Sequence, residues 1–96
     1  MELTGKQKRT LRALGHHLRP VATIGKQGLA DSVVAQLDAN LLAHELIKVK
    51  VLKTCPLEPP AIATLIAQRT GATLAQSVGR TLLLYRPHPE RPVIQP

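Results

Sequence analysis

Aromatic residues are almost absent from this 96-residue sequence, which has no phenylalanine, no tryptophan and a single tyrosine, Tyr85. Modules that read single-stranded nucleic acid by stacking on its bases need aromatic platforms. If the ligand is a nucleic acid, stacking is therefore excluded as the main mode of recognition.

Cysteine and long apolar runs are also scarce. Cys55 is the only cysteine, so we expect no internal disulfide and no cysteine zinc site. We also expect no other metal and no cofactor. No stretch looks like a signal peptide, and none approaches the roughly 20 apolar residues that span a bilayer. The sequence predicts a cytoplasmic protein without membrane contact.

Acidic residues are outnumbered: 13 Lys and Arg stand against six Asp and Glu, and the formal net charge is +7. A small domain this basic usually has a polyanionic partner. Charge that only keeps the protein soluble is the alternative. A chain of this length forms one domain with a modest core.

The first predicted element is a helix from about Thr4, its N-cap, to Leu18, and Pro20 ends it. Leu11, Leu14 and Leu18 form an apolar stripe at helical spacing. The opposite side is basic without any acid, whereas a merely solvated face mixes both signs. Its members are Lys8, Arg9, Arg12, His16 and Arg19.

The middle of the chain alternates between strand and helix. Val21 to Ile24 predicts a short buried strand, and a second helix is expected from about Leu29 to Ala43. Its apolar residues recur every four positions: Leu29, Val33, Leu37 and Leu41. The run HELIKVKVLK then predicts a strand with Ile47, Val49 and Val51 on one face and Lys48 and Lys50 on the other. The second face is therefore cationic.

The last third of the chain predicts a helix and a hairpin. The loop TCPLEPP leads to a helix that starts at Pro59-Pro60 and is capped by Gly71. The buried side of that helix comprises Ile62, Leu65 and Ile66. Two strands follow with a tight turn at Gly79-Arg80. Arg80, Leu82, Leu84 and Arg86 share one face of the last strand. Residues 88–96 are proline-rich, and we expect an extended, mobile tail.

The predicted order α-β-α-β-α-β-β indicates an α/β (α+β) fold in a single compact domain. Strand-helix-strand connections favour parallel pairing with right-handed crossovers, and the terminal hairpin adds antiparallel pairing. We therefore expect a four-stranded mixed sheet with one layer of helices on one face.

GKQG, residues 25–28, lies between the first strand and the second helix. It lacks the third glycine of a dinucleotide fingerprint and the spacing of a Walker loop. Glycines at both ends allow a sugar-phosphate backbone to approach the main chain, and the free N–H groups of a helix start favour phosphate. GxxG loops of KH domains clamp nucleotide backbone in this way. A simple tight turn is the alternative.

Catalysis and protein binding are the rival functions. The conceivable catalytic groups are His16, His17, His44, Glu45 and Cys55. Adjacent histidines diverge by about 100° on a helix, unlike a chelating i, i+4 pair, and no carboxylate pair suggests acid–base work. We expect no enzyme. An adaptor would need an exposed apolar groove, but core periodicity uses the apolar positions and leaves only the tail.

Several sequence blocks together resemble the CRM domain family, and most closely its bacterial stand-alone, YhbY-type members. The blocks are LTGKQKRTLRALGHHLRPVATIGKQGLADSV, HELIKVKV and TGATLAQSVGRTLLLYRP. The resemblance covers about residues 2–87. It implies a fold similar to the C-terminal domain of translation initiation factor three. The proline-rich loop KTCPLEPPAIA departs from the family pattern, which argues against a ligand contact there.

The resemblance implies RNA binding through the GxxG loop and a neighbouring basic surface. Stand-alone bacterial members are associated with large-subunit ribosomal precursors, and chloroplast relatives act in group II intron splicing. We therefore expect a monomeric ribosome assembly factor that binds ribosomal RNA. A general RNA-binding or RNA-chaperone module for other structured RNAs is the alternative. The predicted RNA-binding residues are Gly25, Lys26, Gln27, Gly28, Lys6, Lys8, Arg9, Arg12, Lys48, Lys50, Arg80 and Arg86.

Overall fold

Seven elements follow the predicted order in the computed structural model, which describes all 96 residues. They are α1 (Gly5–Gly15), β1 (Pro20–Ile24), α2 (Asp31–His44), β2 (Leu46–Val51), α3 (Pro59–Thr70), β3 (Thr73–Val78) and β4 (Thr81–Tyr85). The strands form one sheet in the order β1-β2-β4-β3. β1 pairs in parallel with β2, and the other two pairings are antiparallel. The predicted α+β class and the mixed four-stranded sheet are confirmed.

β2 is a central strand, and its alternating sequence defines the two faces of the sheet. Ile47, Val49 and Val51 are buried on the face that we call the inner face. Lys50 on the opposite, outer face is exposed and Lys48 is half-buried. Since successive side chains of a strand point to opposite faces, this alternation places both lysines together.

Helices cover both faces of the sheet, in contrast to the single helical layer expected from the sequence. On the inner face, α2 and α3 pack over a core of 14 buried residues. On the outer face, α1 packs over a smaller cluster of Leu11, Leu46, Ala75, Leu83 and Tyr85. The alternation of β2 conceals this second layer, because Leu46 is the only apolar residue of that strand on the outer face.

α1 begins as predicted but ends earlier. The Thr4 hydroxyl accepts from the Gln7 N–H at 3.1 Å, and the Gln7 side chain accepts from the Thr4 N–H at 2.9 Å, which is a complete capping box. The helix ends at Gly15, so Pro20 does not terminate it but opens β1. Of the predicted apolar stripe only Leu11 is buried, whereas Leu14 and Leu18 remain exposed.

The other two helices follow the sequence pattern with shifted boundaries. α2 begins at Asp31 instead of Leu29 and buries Val34 more deeply than Val33. α3 begins at Pro59, and Gly71 caps it in the left-handed conformation, as predicted. Ile62 and Ile66 are fully buried on its inner side and Leu65 is half-buried. Shifts of one or two residues are usual at helix ends, where local interactions compete with helical hydrogen bonds.

The segment after residue 87 has no helix or strand, but it contacts the domain. The carboxylate of Glu45 accepts hydrogen bonds from the main-chain N–H groups of His88, Val93 and Ile94 at 2.8 to 2.9 Å. The half-buried Ile94 packs against the outer-face cluster. These contacts differ from the mobile tail expected from the sequence. The sequence does not reveal them because their anchor lies more than 40 residues away, at the end of α2.

Candidate nucleic-acid interface

Residues 25–28, here called the glycine loop, form a tight turn directly after β1. The Gly28 N–H donates to the Gly25 oxygen at 2.9 Å, and Gly28 has a φ of 64°. A positive φ of this kind favours glycine. The turn projects Lys26 and Gln27 into solvent, and both side chains are exposed.

The main chain of the glycine loop offers unused donors. The N–H groups of Lys26 and Gln27 make no hydrogen bond within the protein. α2 does not start at the loop, because Leu29 and Ala30 intervene and the first helical residue is Asp31. The carboxylate of Asp31 occupies this helix start, where it balances the positive end of the helix dipole. The free N–H groups of Lys26 and Gln27 therefore belong to the loop itself, and two residues separate the loop from the start of α2.

The loop after β2 lies beside the glycine loop. A Cβ atom at Gly25 would lie 3.3 Å from Cδ1 of Leu52 and 3.5 Å from the Thr54 hydroxyl oxygen. Lys53 lies between Leu52 and Thr54 in the sequence; its side chain is exposed and has no ion-pair partner. This placement follows from the parallel pairing of β1 with β2, because the carboxyl ends of parallel strands meet at one edge. Lys53 and Thr54 therefore join the candidate site, although the proline-rich sequence of this loop argued against a ligand contact.

The lysines of β2 lie between the glycine loop and α1. Lys50 pairs in register with Thr23 of β1, two residues before the glycine loop, and with Thr81 of β4. Lys48 lies one outer-face position further from the loop. It lines a groove of about 580 Å³ with Arg12 of α1 and with His16, which directly follows this helix. Thr81, Gln76 and Val78 of the hairpin form the far wall of this groove.

The rest of α1 extends this surface with positive charge. Lys6, Lys8 and Arg9 are exposed and none is within an ion pair. Arg12 is the predicted helix residue that the structure brings to Lys48, whereas Lys6, Lys8 and Arg9 do not line this groove. We call the set of Lys6, Lys8, Arg9, Arg12, Lys48 and Lys50 the basic surface.

Three of the six acidic residues are held in ion pairs that do not involve the basic surface. All three ion pairs of the structure join arginines to acids of α2 or of the α3 N-cap: Arg69 to Asp31, Arg80 to Glu58 and Arg86 to Asp38. Glu45 is buried and bound to the tail. No acid lies on β2 or α1. The positive charge of the basic surface is therefore not neutralised within the protein.

Arg80 and Arg86 lie apart from the basic surface. Both guanidinium groups turn toward the inner face and bind protein groups. Arg80 donates to the main-chain oxygens of Val51 and Leu52. Arg86 donates to the Asp38 carboxylate and to main-chain oxygens at residues 38 and 70. Leu82 and Leu84, which share a strand face with the two arginines, lie in the inner-face core. Arg80 and Arg86 therefore lie on the side of the sheet that α2 and α3 cover.

Two of the candidate catalytic groups, Glu45 and Cys55, are buried. No three His, Cys, Asp or Glu side chains are grouped as metal ligands. Burial opposes the charged form of Glu45, but the three tail N–H donors and nearby His88 outweigh it, so its pKa is lowered. Burial and the Glu45 charge raise the pKa of Tyr85. The charged carboxylate therefore accepts hydrogen bonds from three N–H groups of the tail.

None of the helices is long and apolar enough to cross a bilayer.

Comparisons with known proteins agree on one family. The model of the CRS1/YhbY (CRM) domain matches residues 3–86. The chain is 40% identical over 93 residues to the "Probable RNA-binding protein YqeI" of Bacillus subtilis, with 97% of each chain covered. It is also 40% identical to an "RNA-binding protein" of Haemophilus influenzae, covering 98% of this chain and 95% of the relative. The solution structure of SAV1595 from Staphylococcus aureus superposes with a TM-score of 0.76 at 39% identity, over 88% of each chain.

Proposed function

The chain belongs to the CRS1/YhbY (CRM) domain family, and we propose that it binds structured RNA through the glycine loop and the basic surface. Its relatives from Bacillus subtilis and Haemophilus influenzae carry names that state RNA binding. The proposal is one of binding and not of catalysis.

One observation carries this proposal: the outer-face lysines of β2 have no acid partner and lie beside a turn with two free N–H groups. Both kinds of group bind phosphate: the lysines attract it by their charge, and the main-chain N–H groups donate hydrogen bonds to its oxygens. Neither group reads a base edge. RNA is therefore recognised by its backbone path and shape, in agreement with the shortage of aromatic residues.

The glycine loop acts as a clamp for one phosphate. Its N–H groups at Lys26 and Gln27 donate to the phosphate oxygens, and the Lys26 ammonium supplies charge. Lys53 and the Thr54 hydroxyl, which border the loop on the β2 side, contact the same stretch of backbone. Arg80 binds the end of β2 from the inner face of the sheet and does not itself contact RNA. Arg86 serves the fold at the opposite end of β4.

The basic surface extends from this clamp across the sheet to α1. A surface of this breadth matches phosphates on more than one strand, as in a folded RNA, better than a single strand. Ribosomal RNA is the ligand we propose, as part of large-subunit precursors in the cytoplasm, where the monomeric protein acts as an assembly factor. A general role on other structured RNAs, such as introns, is the second candidate.

Charge reversal on the outer face tests the RNA-binding proposal. Lys50→Glu is compared with Arg91→Glu, because both side chains are exposed and both substitutions change the net charge equally. Binding of a labelled RNA hairpin is measured by fluorescence anisotropy. We expect Lys50→Glu to weaken binding about tenfold or more and Arg91→Glu to have a much smaller effect. Equal losses in both variants would indicate only nonspecific attraction to net charge and would contradict the proposed surface.

The proposed association with large-subunit precursors is tested by sedimentation of a cell lysate in a sucrose gradient at low salt. We expect the protein to sediment with precursors of the large subunit, and Lys50→Glu to shift it toward the top. Sedimentation with the small subunit would contradict the large-subunit assignment. Absence from all ribosomal fractions, with RNA still bound in vitro, would favour the second candidate.

A further inference from the structure

A second groove lies on the other flank of α1, away from the basic surface, and it is apolar. Its volume is about 380 Å³. The walls are formed by six aliphatic side chains from α1 and the segment that follows it, two strands and the tail: Leu14, Leu18, Val21, Leu46, Ile47 and Ile94. Arg19 and His44 lie at its edge. The helical spacing of Leu14 and Leu18 in the sequence predicts core positions for both.

Leu14 and Leu18 are exposed, although they line the same groove as the buried residues Leu46 and Ile47. Their exposed fractions are 51% and 38%. Single exposed leucines are ordinary, but aliphatic side chains grouped in a concavity are typical of an interaction site. Water contact with such a surface costs about 25 cal/mol for each Å² of apolar area. Covering the groove with another apolar surface therefore stabilises a complex.

The tail completes this groove. Ile94 contributes one wall, and the Glu45 carboxylate fixes its position by accepting the Ile94 N–H at 2.9 Å. An adjoining cavity of about 250 Å³ places Arg91, His88 and Leu42 beside the same tail segment. The groove is thus an ordered apolar surface with cationic side chains around it.

We propose that this groove binds an acidic amphipathic segment of another protein, with aliphatic side chains entering the groove and carboxylates facing Arg19 and Arg91. Charge complementarity favours this occupant, because the only carboxylate among the lining residues of both cavities is Glu45, which is committed to the tail. A helix with aliphatic residues at i and i+4 presents the required stripe.

The same charges argue against a second copy of this chain as the occupant. Three of its six acids are in ion pairs and Glu45 is buried. Only Glu2 and Glu90 remain to face the cationic edge, and they lie near opposite ends of the chain. Two copies, each with a net charge of +7, also repel each other.

The two grooves lie on different flanks of α1: Arg12 lines the basic one and Leu14 the apolar one. RNA on the basic surface therefore leaves the apolar groove open. The protein in this arrangement joins an RNA to an acidic protein segment, with α1 between them.

The test uses the full chain with labelled methyl groups and a synthetic 16-residue peptide, an amphipathic helix of leucine and glutamate. A scrambled peptide of the same composition has no apolar stripe. We expect the amphipathic peptide to shift the methyl resonances of Leu14, Leu18 and Ile94, and to bind at least tenfold more tightly than the scrambled one. Because attraction to the basic surface is the same for both peptides, the difference measures groove binding.

Matched variants locate the site. Leu14→Ser with Leu18→Ser should reduce amphipathic-peptide binding about tenfold, and Leu57→Ser, which alters an exposed leucine in the loop before α3, should not. RNA affinity should stay unchanged in both. Circular dichroism confirms that the variants are folded. Equal binding of the two peptides, unaltered peptide binding by the double variant, or groove methyl shifts caused by RNA or by self-association would each overturn the proposal.

Discussion

Arg80 and Leu52 are joined by a hydrogen bond of 2.9 Å from the arginine guanidinium to the leucine main-chain oxygen, across 28 positions of sequence. The same guanidinium donates to the Val51 oxygen at 2.8 Å. The Leu52 side chain in turn lies against Gly25. The arginine at the hairpin turn therefore fixes the strand end on which the glycine loop rests.

Replacing Arg80 should consequently affect both stability and RNA affinity. Arg80→Gln removes charged donors to two main-chain oxygens, and hydrogen bonds to charged groups contribute about 1.5–3 kcal/mol. We expect a loss of this order in urea denaturation. Arg86→Gln is the matched control, since Arg86 is equally engaged with main-chain oxygens but at the opposite end of β4. RNA affinity at a temperature where both variants are folded should fall only for Arg80→Gln. A parallel loss in both would mean that Arg80 has no special relation to the loop.

The glycine loop is tested by Lys26→Asp combined with Gln27→Asp. Both side chains are exposed, so the melting temperature should hardly change. RNA binding should weaken by more than about 1.4 kcal/mol, which is a factor of ten, because a phosphate that was attracted is now repelled. Arg91→Asp with Gln95→Asp introduces the same charge change in the tail. If the loop variant bound RNA like this control, GKQG would be only a turn.

RNA affinity should depend steeply on salt and weakly on sequence. Each phosphate contact on a single strand contributes a slope of about 0.7 in log affinity against log salt, so about five contacts give a slope near −3.5. Lys50→Glu should reduce the magnitude of this slope by about 0.7. Titrations at several salt concentrations with two unrelated single-stranded RNAs measure both properties. An affinity that is flat with salt would contradict phosphate recognition.

The attachment of the tail should depend on pH through Glu45. Its folded-state pKa is lowered, so its contribution to stability is present above the unfolded pKa, which is about 4.3. The contribution is lost as the pH falls through the folded pKa. We expect the Ile94 methyl resonance to keep its neutral-pH position down to about pH 4.3 and to move toward its random-coil position as the pH falls further.

Glu45→Gln should produce the released tail already at neutral pH. One carboxylate oxygen accepts from Val93 and Ile94 and the other from His88, so an amide loses acceptors in either orientation. Glu90→Gln, in an exposed part of the tail, is the control and should leave the Ile94 resonance unchanged. An Ile94 resonance that is insensitive both to acid and to Glu45→Gln would contradict the anchoring role of Glu45.

The elements with strong local signals could be predicted from the sequence. Thr4 and Gly71 have the residue types that cap helices, and the alternation around Lys48 and Lys50 fixes their common face. The element order then follows. The position of α1 could not be predicted in this way, because a helix with two leucines fits either face of a sheet. Only the contacts of Leu11 with Leu83 and Tyr85 decide it.

The candidate site was predicted in part for the same reason. Lys26 and Lys50 follow from local pattern, whereas the approach of Thr54 to Gly25 depends on which strands are neighbours. In the sequence, Arg80 and Arg86 look like arginines on an exposed strand face. Only their hydrogen-bond acceptors in distant segments show that the fold itself binds them. A residue's charge can be read from the sequence, but its partner is a property of the tertiary fold.

The separation of acids from the basic surface makes the molecule an electric dipole. Its positive end comprises α1 and the outer-face lysines, and its ion-paired acids lie toward α2 and α3. In the field of a polyanion such a dipole rotates before contact is made, so encounters occur mostly with the outer face forward. The association rate is then higher than expected for randomly oriented collisions with a site of this size. This increase disappears at high salt, because ions screen the field over shorter distances.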